Sequence, residues 1–143
     1  TGHVHRGYWI DIGTPEKYMQ VHRDIMDGRY SVPPFDGRPG LAWVAATARI
    51  EEGARLKGPL FIDEGCTVKA GARIGPYTVL GRDCQVDEDA NVSGAIVWAG
   101  THIGREAQVT DAIIGRAGQI GRNAVIQRAV LGDGTHIAEY SRL

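Results

Sequence analysis

The chain has 143 residues, with 16 basic and 17 acidic side chains and a formal charge of −1. That length suits one ordinary domain, and the balanced charge offers no basic face for nucleic acid. No apolar run approaches the roughly eighteen residues of a membrane span, so neither nucleic acid nor membrane is an expected partner.

Residues 1–13 (TGHVHRGYWIDIG) read as a strand ending in a turn, with no secretory pattern at the start. Opening on Thr1 is what a chain trimmed of its Met, or a piece of something longer, would do. Asp11 stands in an otherwise apolar and aromatic run, Tyr8 to Ile12. It is either an edge-strand carboxylate facing water or a metal or substrate ligand at the strand end.

A helix follows. Thr14 can cap it, Pro15 suits its first position and Glu16 suits the positive end of its dipole. Tyr18, Val21, His22, Ile25 and Met26 share one side at helical spacing, and Gly28 is a fitting stop. His22 reads as a packed helix residue rather than a ligand. Pro33, Pro34, Gly37, Pro39 and Gly40 make 29–44 a linker or wrapped loop.

From about residue 45 to the end a different rule takes over. Ile50, Leu56, Ile62, Val68, Ile74, Leu80, Val86 and Val92 recur at every sixth place. A small or apolar residue stands two before each, and turn formers such as Gly53, Pro59, Gly65 and Asp83 stand three after. Beyond Val92 the rungs continue as Val97, Ile103, Val109, then Ile114, Ile120, Ile126, with one five-residue step per coil and an overall period of seventeen. Neither an amphipathic helix nor an alternating strand has such a period. It is the mark of a hexapeptide β-helix, three short strands to a coil, with coils stacked about 4.8 Å apart. The expected fold is mainly β: a parallel β-helix of about five coils, 18- then 17-residue, behind one short strand and one α-helix. Glycine, 20 residues in all, is about twice the usual share of roughly 7%, and its excess falls in the ladder, where corners need positive φ or a missing Cβ.

Cys66 and Cys84 fall in the same small inward slot of adjacent coils. They read as buried structural thiols, although stacked positions would also satisfy a disulfide. Reduced, cytoplasmic chemistry is the expected setting.

The residue before each rung points outward. Two of the resulting rows are largely polar. The third is Phe61, Val79, Ile96, Ile113 and Val130, apolar in every coil and flanked by Trp98 and by Gly81, Gly115 and Gly132. A row of that length calls for a cover. The helix is long enough to lie along it, and a second subunit could dock there. The expectation leans to the second, a homo-oligomer through this face.

GYWIDIGTPEKYMQVHRDIM, Gly7 to Met26, followed by hexapeptides, resembles the C-terminal part of a sugar-1-phosphate nucleotidyltransferase, of the mannose-1-phosphate guanylyltransferase type with its left-handed β-helix. The resemblance implies that 1–28 closes a catalytic domain, that 29–44 links, and that 45–143 is the β-helix, serving oligomerisation or regulation. It makes Asp11 a ligand of catalytic Mg2+, with Trp9, Gly13 and Thr14 shaping the turn beside it. The implied chemistry is attack of a sugar 1-phosphate on the α-phosphorus of a nucleoside triphosphate, served by positioning and charge neutralisation. The family's Gly-rich nucleotide loop and the partner aspartate are missing from these 143 residues, so this chain alone is expected to be inactive.

Three rivals differ in class. A non-catalytic assembly or regulatory subunit would look alike in sequence. A hexapeptide acyltransferase resembles the coils but usually needs a catalytic His at a cleft and a loop thrown out of the ladder, and the ladder here runs unbroken. A β-helix zinc enzyme gets less support: His102 and His136 stand two coils apart with no third His in register, and both read as solvated strand residues.

Overall fold

The computed structural model describes residues 14–30, 32–35, 38 and 40–143. One helix, α1 (Pro15–Met26), precedes a ladder of short parallel strands. The strands form three faces. On the Phe61 face lie Ala42–Val44, Leu60–Ile62, Thr78–Leu80, Ile96–Val97, Ile113–Ile114 and Val130–Leu131. The Arg49 face also has six, from Arg49–Ile50 to His136–Ile137, and the Arg55 face has five, from Arg55–Leu56 to Val125–Gln127. Consecutive strands never pair with each other. Each pairs with the strand three later, as in a solenoid of about six turns.

The register follows the period. Leu80 pairs with Ile62, eighteen residues earlier, and with Val97, seventeen later; Val86 pairs likewise with Val68 and Ile103. Eighteen-residue steps on one side and seventeen on the other therefore keep every rung in its column. Ile62, Val68, Leu80, Val86, Ile103, Val109, Ile114 and Ile126 are fully buried in one continuous core. The end rungs Ile50, Leu56, Leu131 and Ile137 are only partly covered.

The extra turn beyond the expected five comes from Ala42–Val44, at the end of the stretch read as a linker. Val44 lies six before Ile50 and sits in the rung column, paired with Ile62. The ladder stops there because the position six earlier is Arg38, exposed and polar.

The thiols show what the small inward slots are for. Cys66 and Cys84 are both free and buried. Cys66 Sγ donates to Gly81 O at 3.0 Å and Cys84 Sγ to Trp98 O at 3.1 Å. One turn on, Thr101 Oγ1 donates to Gly115 O at 2.9 Å. Three successive turns thus use a thiol, a thiol and a hydroxyl to satisfy the same kind of corner carbonyl, which would otherwise be buried unpaired. The adjacent Cys66 thiol and burial together push the Cys84 thiol up, away from thiolate chemistry.

Candidate functional site

The helix forms as its sequence requires. Thr14 is extended at φ −144° and ψ 158°, and its Oγ1 accepts from Lys17 N at 3.1 Å. Pro15 loses nothing in the first turn because its N–H would be unpaired there. Gly28, at φ 79°, allows the chain to leave. Of the residues tied by resemblance to catalysis, only Thr14 is among the described residues, and its hydroxyl is engaged as the cap. Trp9, Asp11 and Gly13 lie outside them. Among the described residues no group of three His, Cys, Asp or Glu side chains is placed to hold a metal ion.

The helix lies on the apolar stripe. Tyr18, Ile96 and Ile113 are 3%, 4% and 2% exposed and pack together, with Met19, Val79 and Trp98 against them. Twelve residues at about 1.5 Å each reach across roughly four coil spacings. Its first turn lies beside Ala129 and Val130, and its last beside Tyr77, so it runs against the winding direction. Two polar ties fix it. Arg23 Nη2 donates to Asp111 Oδ1 at 3.1 Å while its guanidinium lies 5.2 Å from the centre of the Tyr77 ring. Tyr77 Oη donates to Asp27 Oδ1 at 2.8 Å, and that bond holds the phenol above its usual range.

Of the two covers expected for this row, the helix is the one that packs on it. Val79, Ile96, Trp98 and Ile113 are packed under the chain's own helix, so they do not need a second subunit to keep them dry. Phe61 is covered too: Trp43 stacks on it at 4.6 Å, and the buried Phe35 lies 6.4 Å away. Val130, beside the first turn of the helix, is still 53% exposed. The flanking glycines have another cause as well. A Cβ on Gly81 would come within 2.8 Å of Ala99 N, and one on Gly115 within 2.7 Å of Asp133 N. The next turn fills that room, while Gly132 has nothing within 4 Å.

Beside the helix a crevice of about 490 Å³ is lined by His22, Val79, Arg82, Ile96, Trp98 and Arg116, among others. His22 meets Tyr18 edge-on at 4.7 Å, and burial lowers its pKa to about 4.

A second concavity, of about 620 Å³, lies on the Arg49 face. There Asp87 and His102, the latter expected to be merely solvated, meet at 2.7 Å from Oδ2 to Nε2. Asp87 Oδ1 accepts from Gln85 Nε2 at 2.8 Å, and Lys69 Nζ stands 3.9 Å away. Burial pushes the Asp87 carboxyl up; the bonds from Gln85 and His102 and the Lys69 charge outweigh it and leave it below the usual range. The signal was in the register. Gln85 pairs with His102, so the outward residue two beyond Gln85 stands diagonally against the imidazole.

The profile of the GMPPB C-terminal domain family matches residues 56–143, more than half of the chain. Among curated proteins, mannose-1-phosphate guanylyltransferase of Mycobacterium tuberculosis is 37% identical over 79 residues, 55% of this chain and 20% of that protein. Glucose-1-phosphate thymidylyltransferase of Streptomyces griseus is 33% identical over 103 residues, 68% of this chain and 28% of that protein. Glucose-1-phosphate adenylyltransferase of Bacillus cytotoxicus is 27% identical over 109 residues, 70% of this chain and 26% of that protein. The chain thus spans between 20% and 28% of the length of these relatives. Among solved structures, the acetyltransferase domain of PglB from Neisseria gonorrhoeae superposes with a TM-score of 0.60 at 15% identity, over 96% of this chain and 68% of that one, a likeness of fold alone. The turns, the rung columns and the matched residues agree: the chain belongs to the GMPPB C-terminal domain family.

Proposed function

We propose that this chain is the C-terminal portion of an enzyme that transfers a nucleotidyl group from a nucleoside triphosphate to a sugar 1-phosphate, releasing pyrophosphate. The observation that carries the reading is the family match over residues 56–143, joined to relatives named as sugar-1-phosphate nucleotidyltransferases. The WIDIGTP run ahead of the helix adds to it. In this reading Asp11 is one of the carboxylates on Mg2+, an ion that neutralises phosphate charge and usually binds through one or two carboxylates plus substrate phosphates. The nucleotide-binding part lies outside these residues. The solenoid and its docked helix give that part a rigid base and serve assembly or regulation, with self-association left to surfaces the helix does not cover, such as that around Val130.

The test is pyrophosphate release from nucleoside triphosphate and sugar 1-phosphate. The chain alone is expected to show none. The same chain joined to a nucleotide-binding domain encoded upstream of Thr1 is expected to turn over, and to lose turnover on Asp11→Ala. A stop codon upstream, with acetyl-CoA turnover by the chain itself, would replace this reading with acyl transfer.

A further inference from the structure

The Arg49 face is a solvent-facing sheet, and most of its outward row needs no partner. The groove at its C-terminal half differs in three respects. The Asp87 side chain is only 15% exposed there, and it holds the imidazole of His102. An ionised carboxylate can only accept, so His102 Nε2 donates to it, and Nδ1 is the ring nitrogen left for a ligand. The His102 side chain has no other hydrogen-bond partner among the described residues.

The wall of the groove is the second peculiarity. Glu88, Arg105, Arg122 and Glu139 occupy equivalent places on four successive turns, seventeen residues apart. The outer pairs are of opposite sign: Glu88 Oε1 lies 4.0 Å from Arg105 Nε, and Glu139 Oε1 lies 3.4 Å from Arg122 Nε. The middle step sets two guanidiniums on adjacent turns, a like-charge stacking that costs stability in a sheet. Both arginine side chains are more than half exposed, at 62% and 55%; to meet an anion between them each would leave its glutamate, and Arg122 also its place 5.7 Å from the centre of the Tyr140 ring.

The floor is the third. Gly104 and Gly121 run beneath the arginines, and a Cβ on either would strike the next turn, 2.8 Å from Arg122 N and 2.6 Å from Glu139 N. Coil packing requires them, and as a result the floor carries no side chain at these two positions. The groove, about 620 Å³, is within the roughly 300–1,000 Å³ of small-molecule sites.

We propose that this groove is a second ligand site, taking a small hydroxylated phosphate ester, with the phosphoryl group between Arg105 and Arg122 and a hydroxyl donated to Nδ1 of His102. A phosphoryl group offers three oxygens to two forks on neighbouring turns, where a carboxylate offers two. The hydroxyl contact explains why the imidazole is held by Asp87 in one tautomer. The site lies on another face from the helix and does not rest on the nucleotidyl-transfer reading.

The full 143-residue chain, titrated by NMR with glycerol 3-phosphate, inorganic phosphate and glycerol, tests it. The ester is expected to move the His102 ring and the Arg105 and Arg122 side-chain signals saturably, binding about tenfold tighter than inorganic phosphate through one added hydrogen bond; glycerol moves nothing. Arg105→Ala or Arg122→Ala weakens ester and phosphate about tenfold or more. His102→Ala reduces the ester to the phosphate level while leaving phosphate unchanged. Circular dichroism verifies the fold of each variant, all three positions being on the surface. No saturation with the ester, equal affinity for ester and phosphate, or binding indifferent to the arginines overturns the proposal.

Discussion

Ile74 is 1% exposed in the middle of the ladder, stacked in register between Leu56 and Val92. Its column is closed above and below by other rungs, so a polar replacement has no water to turn toward. Ile74→Asp would bury a carboxylate without a partner, and a loss above about 4 kcal/mol is expected. Ile74→Val removes one methylene and should cost about 1 kcal/mol. Urea unfolding of the two variants measures the contrast; similar midpoints would mean that the column is open. This level was legible because an inward side chain every sixth place leaves a mark no surface residue can imitate. The thiols were legible only as buried. That Cys66, Cys84 and Thr101 donate to corner carbonyls depends on where a corner turns, which the period does not specify.

At the scale of elements, helix α1 was legible at both ends, from Thr14, Pro15 and Gly28. Its place was not, because an apolar stripe says that something covers it and not what. The deciding contacts are polar and long-range: Arg23 to Asp111 and Tyr77 to Asp27, pairs far apart in sequence with no pattern joining them. Docking also gives the helix a pH dependence. Burial lowers His22 to about 4 from 6.5, so the docked helix binds fewer protons than the free one. The stabilisation is complete above the free value and is lost as pH falls through that window, up to roughly 3 kcal/mol by the usual conversion. Arg82, Arg116 and Asp63 line the same crevice, and burial is the cause of the shift. The opening of residues 15–26, read as amide exchange corrected for the pH dependence of the intrinsic rate, should therefore rise as the pH falls from 6.5 to 4, and His22→Leu should flatten that rise. An equal rise in the variant would place the titration elsewhere.

On the scale of the whole molecule, the solenoid carries its core internally and the helix seals one of its three outer faces. The two layers should therefore fail separately. Ile96→Asp with Ile113→Lys changes outward residues that touch Tyr18 while the inward rungs beside them, Val97 and Ile114, keep their places at 1% and 0% exposure. Two charges under the helix remove the reason for it to dock, since its apolar side would then meet a wet face. The expected outcome is rapid proteolysis within residues 14–40, loss of the helical contribution to circular dichroism, and a β-solenoid that still melts cooperatively. Light scattering on the same variant separates the two covers: a fall in mass with the helix still protected would put a second subunit on this face, whereas an unchanged mass with the helix cut free leaves it to the chain's own helix. The distinction matters for the proposed enzyme, because a catalytic domain joined ahead of Thr14 would be oriented on the solenoid through this helix. A loosened helix should then lower turnover without touching any group that meets substrate.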